Sequence, residues 1–154
     1  MPSTSKRRST NVEPIYRTEI TEIGAEVGAF LEEKYLILFE VGAPPELAEM
    51  AVLHDCSHMR EEPPVAGDVL AIGGKEFPMT AVGEKAWKNI KDLGHAVFVF
   101  NGAREVEMPG QICLEEGGAE DLGALVRPGA RMEIKAGGDG TTAARDREGA
   151  KRES

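Results

Sequence analysis

Histidine, cysteine and aromatic residues are all scarce in this chain, and each shortage narrows what it can be. Two cysteines, Cys56 and Cys113, in 154 residues are too few for a disulfide scaffold. A reducing cytoplasm is the compartment that fits such usage. No apolar run approaches the roughly 20 residues of a membrane helix, and the polar, basic start Met1 to Thr10 has no apolar segment behind it. The chain is therefore expected neither to insert into a membrane nor to carry a secretory signal. Aromatics make up 5% of the residues, with no stripe in which they alternate with basic ones, so a single-stranded nucleic-acid platform is not indicated.

Charge of one sign is also short. The formal net charge is -9, and the segment 14–137 holds 11 basic residues against 22 acidic ones. Such a surface repels nucleic-acid phosphates and anionic lipid, and it suits a basic protein partner or none. Phosphate-loop spacing is missing as well: Gly73-Gly74-Lys75 and Gly83-Glu84-Lys85 are fragments without the G-x-x-x-x-G-K-[ST] pattern. There is no G-x-S-x-G nucleophile elbow. The acidic pairs Glu32-Glu33, Glu61-Glu62 and Glu115-Glu116 read as solvated loop surface.

What is present is one domain's worth of chain, with 41% hydrophobic and 29% charged residues. Residues 1–13 and 137–154 lack large apolar side chains in number and read as flexible tails around a folded domain at 14–136. Within it, short apolar and β-branched runs alternate with Gly, Pro and Asp punctuation. These predict strands at Ile15 to Ile23, Tyr35 to Glu40, Ala51 to His54, Asp68 to Ile72, Glu76 to Val82, Ala96 to Phe100, Glu105 to Leu114 and Arg131 to Lys135. Gly73-Gly74 is placed to make a hairpin turn. Ala96 to Phe100 is apolar on both faces, which predicts a strand covered on two sides.

Two segments read as helices. In Gly83 to Gly94 the residues Ala86, Trp87, Ile90 and Leu93 share a face, and Gly94 is placed to end the helix. In Pro44 to Met50 the prolines and Glu46 suit a first helical turn. The fold class expected is mainly β, a compact antiparallel barrel or sandwich with two short helices.

Of the three histidines, His54, His58 and His95, the first ends the apolar run Ala51-Val52-Leu53 before the polar stretch Asp55-Cys56-Ser57-His58. A strand that stops there would hold the ring firmly while leaving one nitrogen open, as a nucleophilic imidazole requires. A histidine at a strand end is, however, more often a hydrogen-bonded structural residue. A third reading takes His54, Cys56 and His58 as metal ligands, with His95, Cys113 or Asp55 as the fourth. His95 opens an apolar strand, where it packs or sits beside His54 and sets its tautomer.

The segments Ile37 to Leu47, Ala51 to His54, Phe77 to Gly83, Asn89 to His95, Phe98 to Gly102 and Met108 to Gly110 follow one another in a specific order. In that order the chain, over about residues 14 to 136, resembles the glucitol/sorbitol-specific IIA component of the bacterial sugar phosphotransferase system. The resemblance implies a β-barrel-like fold and a ping-pong transfer. The phosphocarrier protein HPr phosphorylates a histidine, matched here by His54, on its Nε2 nitrogen. The group then passes to the IIB domain of the sugar permease. His95 takes a supporting role, and no metal or organic cofactor is implied. The runner-up is a noncatalytic binding module on the same barrel. Asp55 to Met59 departs from the family pattern, and Asp55 would oppose phosphorylation unless its side chain turns away or orients an imidazole.

Overall fold

The computed structural model describes residues 14–137. Nearly all of the two expected tails therefore lies outside the described residues. Eight strands form one closed barrel. In chain order they are β1 (Tyr16–Ile23), β2 (Tyr35–Glu40), β3 (Val52–Met59), β4 (Val69–Ile72), β5 (Lys75–Val82), β6 (Ala96–Val99), β7 (Gln111–Leu114) and β8 (Arg131–Lys135). Around the barrel the order is β1-β3-β2-β6-β7-β5-β4-β8, and β8 returns to pair with β1. Closure leaves no unpaired strand edge.

The mainly β barrel expected from the sequence is what forms, with one difference of topology. β2 and β3 pair in parallel, as do β6 and β7, while the other neighbours are antiparallel. A parallel pair needs a crossover. Between β2 and β3 it carries helix α2 (Pro45–Ala48), and between β6 and β7 it is the stretch 100–110. That stretch is why the strand expected from Glu105 begins only at Gln111. Val106 and Ala103 fold back over Val99, Ala81 and Cys113 on the outer face instead of pairing.

The hairpin at Ile72–Lys75 forms as expected, with Gly73 at φ 56° and Gly74 at φ 92°. Both central residues have the positive φ of a tight β turn, which side chains rarely tolerate. Helix α3 (Ala86–Leu93) buries Ala86, Trp87 and Ile90, but Leu93 is 56% exposed. Leu93 belongs to the last residues before Gly94 turns the chain away at φ 65°, so the apolar stripe ends at Ile90. Two further short helices, α1 (Val27–Glu32) and α4 (Leu122–Leu125), were not expected. Each is too brief to display a helical period, and each is held by a few apolar contacts: Val27 and Leu122 enter the core.

The barrel interior contains Tyr16, Ile20, Leu36, Leu38, Phe77, Phe98 and Phe100, all fully buried. Phe77 and Phe100 meet edge to face at 4.9 Å, and Trp87 sets its edge against Tyr16 at 5.9 Å. The indole Nε1 of Trp87 donates to the carbonyls of Glu61 and Arg60, tying α3 to the segment after β3. No helix among the described residues is long and apolar enough to cross a membrane.

Candidate functional site

Strand β3 does not stop at His54. It continues to Met59, because antiparallel β1 supplies partners throughout: Ile20 lies opposite His54, Thr18 opposite Cys56, and Tyr16 opposite Met59. The polar run was read as a loop because it lacks apolar residues, yet it alternates as a strand should. Asp55 and Ser57 are exposed, while Cys56 and His58 are half-buried. Alternation thus turns the Asp55 carboxylate away from the face that His54 occupies, although its charge still acts on the ring.

His54 is 0% exposed. Its Nε2 lies 2.7 Å from the carbonyl oxygen of Gly94. Its Nδ1 lies 2.7 Å from Thr18 Oγ1 and 3.3 Å from the Tyr16 hydroxyl. The expectation that one ring nitrogen stays open is therefore corrected: both have protein partners. Thr18 reaches the ring because it sits one inward-facing position along β1 from Ile20, diagonal to His54 on the neighbouring strand. The register of β1 on β3 slips between Arg17 and Thr18 and again between Ile20 and Glu22, as bulged strands do beside functional sites.

The Gly94 carbonyl is delivered by the end of α3. The Gly94 and His95 amides turn back onto the carbonyls of Ile90 and Asn89, a left-handed helix cap that aims the Gly94 carbonyl at the barrel. The cap is held against the end of β2. His95 stacks on Phe39 at 4.2 Å, with its ring 11° from parallel. Its Nδ1 donates to the Leu38 carbonyl at 3.2 Å. The Glu40 backbone and side chain press on Gly94 itself. His95 thus meets β2 through its ring and His54 through the residue before it in the chain.

Burial pushes the His54 imidazolium below its ordinary range; the Gly94 carbonyl, Glu40 and Asp55 oppose that push without overcoming it. The ring is consequently neutral near pH 7. Its folded pKa lies below the unfolded value, so the unfolded chain takes up the proton first as pH falls. Stability is then full above about pH 6.5 and declines as acid is added toward the lower, folded value, by at most about 1.4 kcal/mol per pH unit from this group. Urea titrations at about pH 7.5 and about pH 5.5 should show this decline. It should shrink in His54→Gln; an unchanged decline would assign it to other groups.

Burial also pushes the Tyr16 phenol far above its ordinary value, with Cys56 and Glu40 adding to the rise, so it remains a hydroxyl. The Cys56 thiol is likewise raised, chiefly by burial, and donates to the His58 carbonyl. Among the described residues no group of three or more His, Cys, Asp or Glu side chains is placed to hold a metal ion. His54, Cys56 and His58 share one strand, but the two nitrogens of His54 and the sulfur of Cys56 already have other partners. The site that does form is a neutral, fully buried imidazole held between a hydroxyl and a carbonyl. Sequence reasoning singled out His54 as a candidate but did not point to Thr18, Tyr16 or the Gly94 carbonyl around it. The one signal it passed over is Thr18, a polar residue at an inward strand position between Tyr16 and Ile20.

The comparisons with known proteins converge on one family. The family model described as the glucitol/sorbitol-specific IIA component of the phosphotransferase system matches residues 15–126. Curated relatives from Shigella flexneri and Escherichia coli (strain K12), both described as glucitol/sorbitol-specific EIIA components of that system, are each 38% identical over 98 residues. The match covers 64% of this chain and 79% of each relative. The crystal structure of a phosphotransferase system IIA component from Enterococcus faecalis V583 superposes with a TM-score of 0.65, covering 78% of this chain and 99% of that one. At 24% identity this last match shows a shared fold. With the family's pattern spanning the barrel from β1 to the end of α4, this chain belongs to the glucitol/sorbitol-specific IIA family and is a phosphotransfer component of the phosphotransferase system.

Proposed function

We propose that this chain carries the phosphoryl group on His54, receiving it from the phosphocarrier protein HPr and passing it to the IIB domain of a sugar permease in the cytoplasm. The observation that carries the reading is the state of His54: it alone of the three histidines is fully buried, it is neutral, and it is oriented from both sides. A carrier needs a neutral nitrogen and fixed geometry, because phosphoryl transfer between imidazoles is governed by positioning and charge more than by acid or base chemistry. The group is transferred to Nε2, the nitrogen that faces the Gly94 turn rather than the barrel interior. Loading therefore exchanges the Gly94 carbonyl for the phosphoryl group. His95 supports the site by anchoring that turn to Phe39 and Leu38.

The acidic character of the segment 14–137 favours a partner that presents basic residues around its own phosphohistidine, and complementary charge would speed encounter. Leu47, Met50 and Met59 are half-buried, whereas Val41 and Leu93, next in the chain to the contacting pair Glu40 and Gly94, are exposed. Val41 and Leu93 are the apolar contacts we assign to docking. The test is incubation with phosphoenolpyruvate, enzyme I and HPr, followed by intact-mass analysis and mapping. One acid-labile phosphoryl on His54 is the expected result. No added mass while HPr is phosphorylated in the same tube, or label on His58 or His95, would sink the reading.

A further inference from the structure

The partners of His54 determine where its proton rests. A backbone carbonyl only accepts, so the contact between Nε2 and the Gly94 oxygen places the ring proton on Nε2. Nδ1 then accepts, and the hydroxyl nearest to it is that of Thr18. In this form the lone pair of the ring points into the barrel at Thr18 and Tyr16, each 1% exposed, where no phosphoryl donor reaches. The nitrogen facing the Gly94 turn holds the proton, and the one facing Thr18 holds the lone pair. The resting ring is thus in the wrong tautomer for accepting a group on Nε2.

We propose that Thr18 is the positioning residue of the carrier histidine: its hydroxyl, able to donate to Nδ1 or accept from it, lets His54 exchange tautomers in place and free Nε2 for the phosphoryl group. The inference rests on His54 being the carrier. At rest Thr18 donates to Nδ1. In the reactive form Nδ1–H donates to Thr18 Oγ1, whose own proton turns to the Tyr16 phenol, to which Thr18 is also hydrogen-bonded. The ring is dry at rest, so the exchange waits until the docked donor displaces the Gly94 carbonyl: water admitted there takes the Nε2 proton and returns one to Nδ1, and the ring ends neutral. The Nε2 lone pair then forms the new N–P bond while the donor's N–P bond breaks and its electron pair returns to the donor nitrogen. Thr18 touches neither the phosphorus nor the donor; it acts through the ring.

A side chain without a hydroxyl could fill the same space but could not follow the proton. The test compares the full chain with Thr18→Val and Thr18→Ser. It measures the rate of loading from phosphorylated HPr and the ¹⁵N resonances of His54. Thr18→Val should load about ten- to hundredfold more slowly, as loss of one hydrogen bond to an oriented imidazole does, and Thr18→Ser within about threefold of the parent. The parent's resonances should show the proton on Nε2 at rest and on Nδ1 after phosphorylation. Loading of Thr18→Val at the parent rate, or Thr18→Ser as slow as Thr18→Val, overturns the role of Thr18 while leaving the carrier standing. If Thr18→Val does not fold, a resting parent spectrum with the proton on Nδ1 overturns it equally. Failure of the carrier reading looks different: the parent itself then takes no label on His54.

Discussion

His54→Gln should lower phosphoryl acceptance by at least about a thousandfold, because it removes the atom to which the group is bonded and no neighbouring side chain replaces it. Glutamine is the informative choice. Its amide has one donor for the Gly94 carbonyl and one acceptor for the Thr18 hydroxyl, so the buried polar groups around position 54 keep partners. Stability should fall by only about 1–3 kcal/mol. His54→Ala is the weaker experiment, since it opens a cavity in a fully buried site and orphans two polar atoms, confounding chemistry with unfolding. Acceptance is read by intact mass and stability by urea titration. A folded His54→Gln chain that still takes one phosphoryl from HPr would place the carrier elsewhere.

Gly94→Ala is expected to have the second largest effect, and it acts on the same site from outside the barrel. Gly94 sits at φ 65°, a conformation that an L side chain adopts only with strain. A Cβ there would also meet Glu40 Cγ at 2.6 Å and its backbone nitrogen at 2.8 Å. The Glu40 side chain can swing aside, but its backbone belongs to β2 and cannot. Strain and overpacking together should lower stability by about 2–4 kcal/mol. The turn that supplies the carbonyl to Nε2 must then shift, so the ¹⁵N resonances of His54 should move as well. A Gly94→Ala chain with unchanged stability would mean that the turn yields without resistance.

How much of this was legible beforehand differs between elements for physical reasons. β2 and β8 were readable to the residue, Tyr35–Glu40 and Arg131–Lys135, because a short apolar or alternating run there is closed off within two residues by Gly42, Gly129 and Gly137. The Gly73-Gly74 hairpin was readable because two adjacent positive φ values leave few other residues possible. The second half of β3 was not, since Asp55 to His58 contains almost nothing apolar. It is a strand because β1 pairs with it, and that partner lies 38 residues away between Tyr16 and His54. Helices α1 and α4 were hidden by their brevity: two or three apolar residues do not define a period.

By composition and local pattern alone, the sequence determined a mainly β domain, an acidic surface and a helix ending at Gly94, whereas the family and its candidate histidine were legible only as a resemblance carried by the order of its segments. The first three are local or additive properties, set by side-chain size, charge and backbone freedom at single positions. The tertiary structure alone decided which strands run parallel and what surrounds His54. Thr18 and the Gly94 carbonyl lie 36 and 40 residues from His54 along the chain, and one of the two is a backbone oxygen with no residue type to mark it. Closing the barrel brings them to the ring, and the same closure removes water from it. Burial, tautomer and a neutral imidazole at pH 7 thus arise together from contacts that no local pattern encodes.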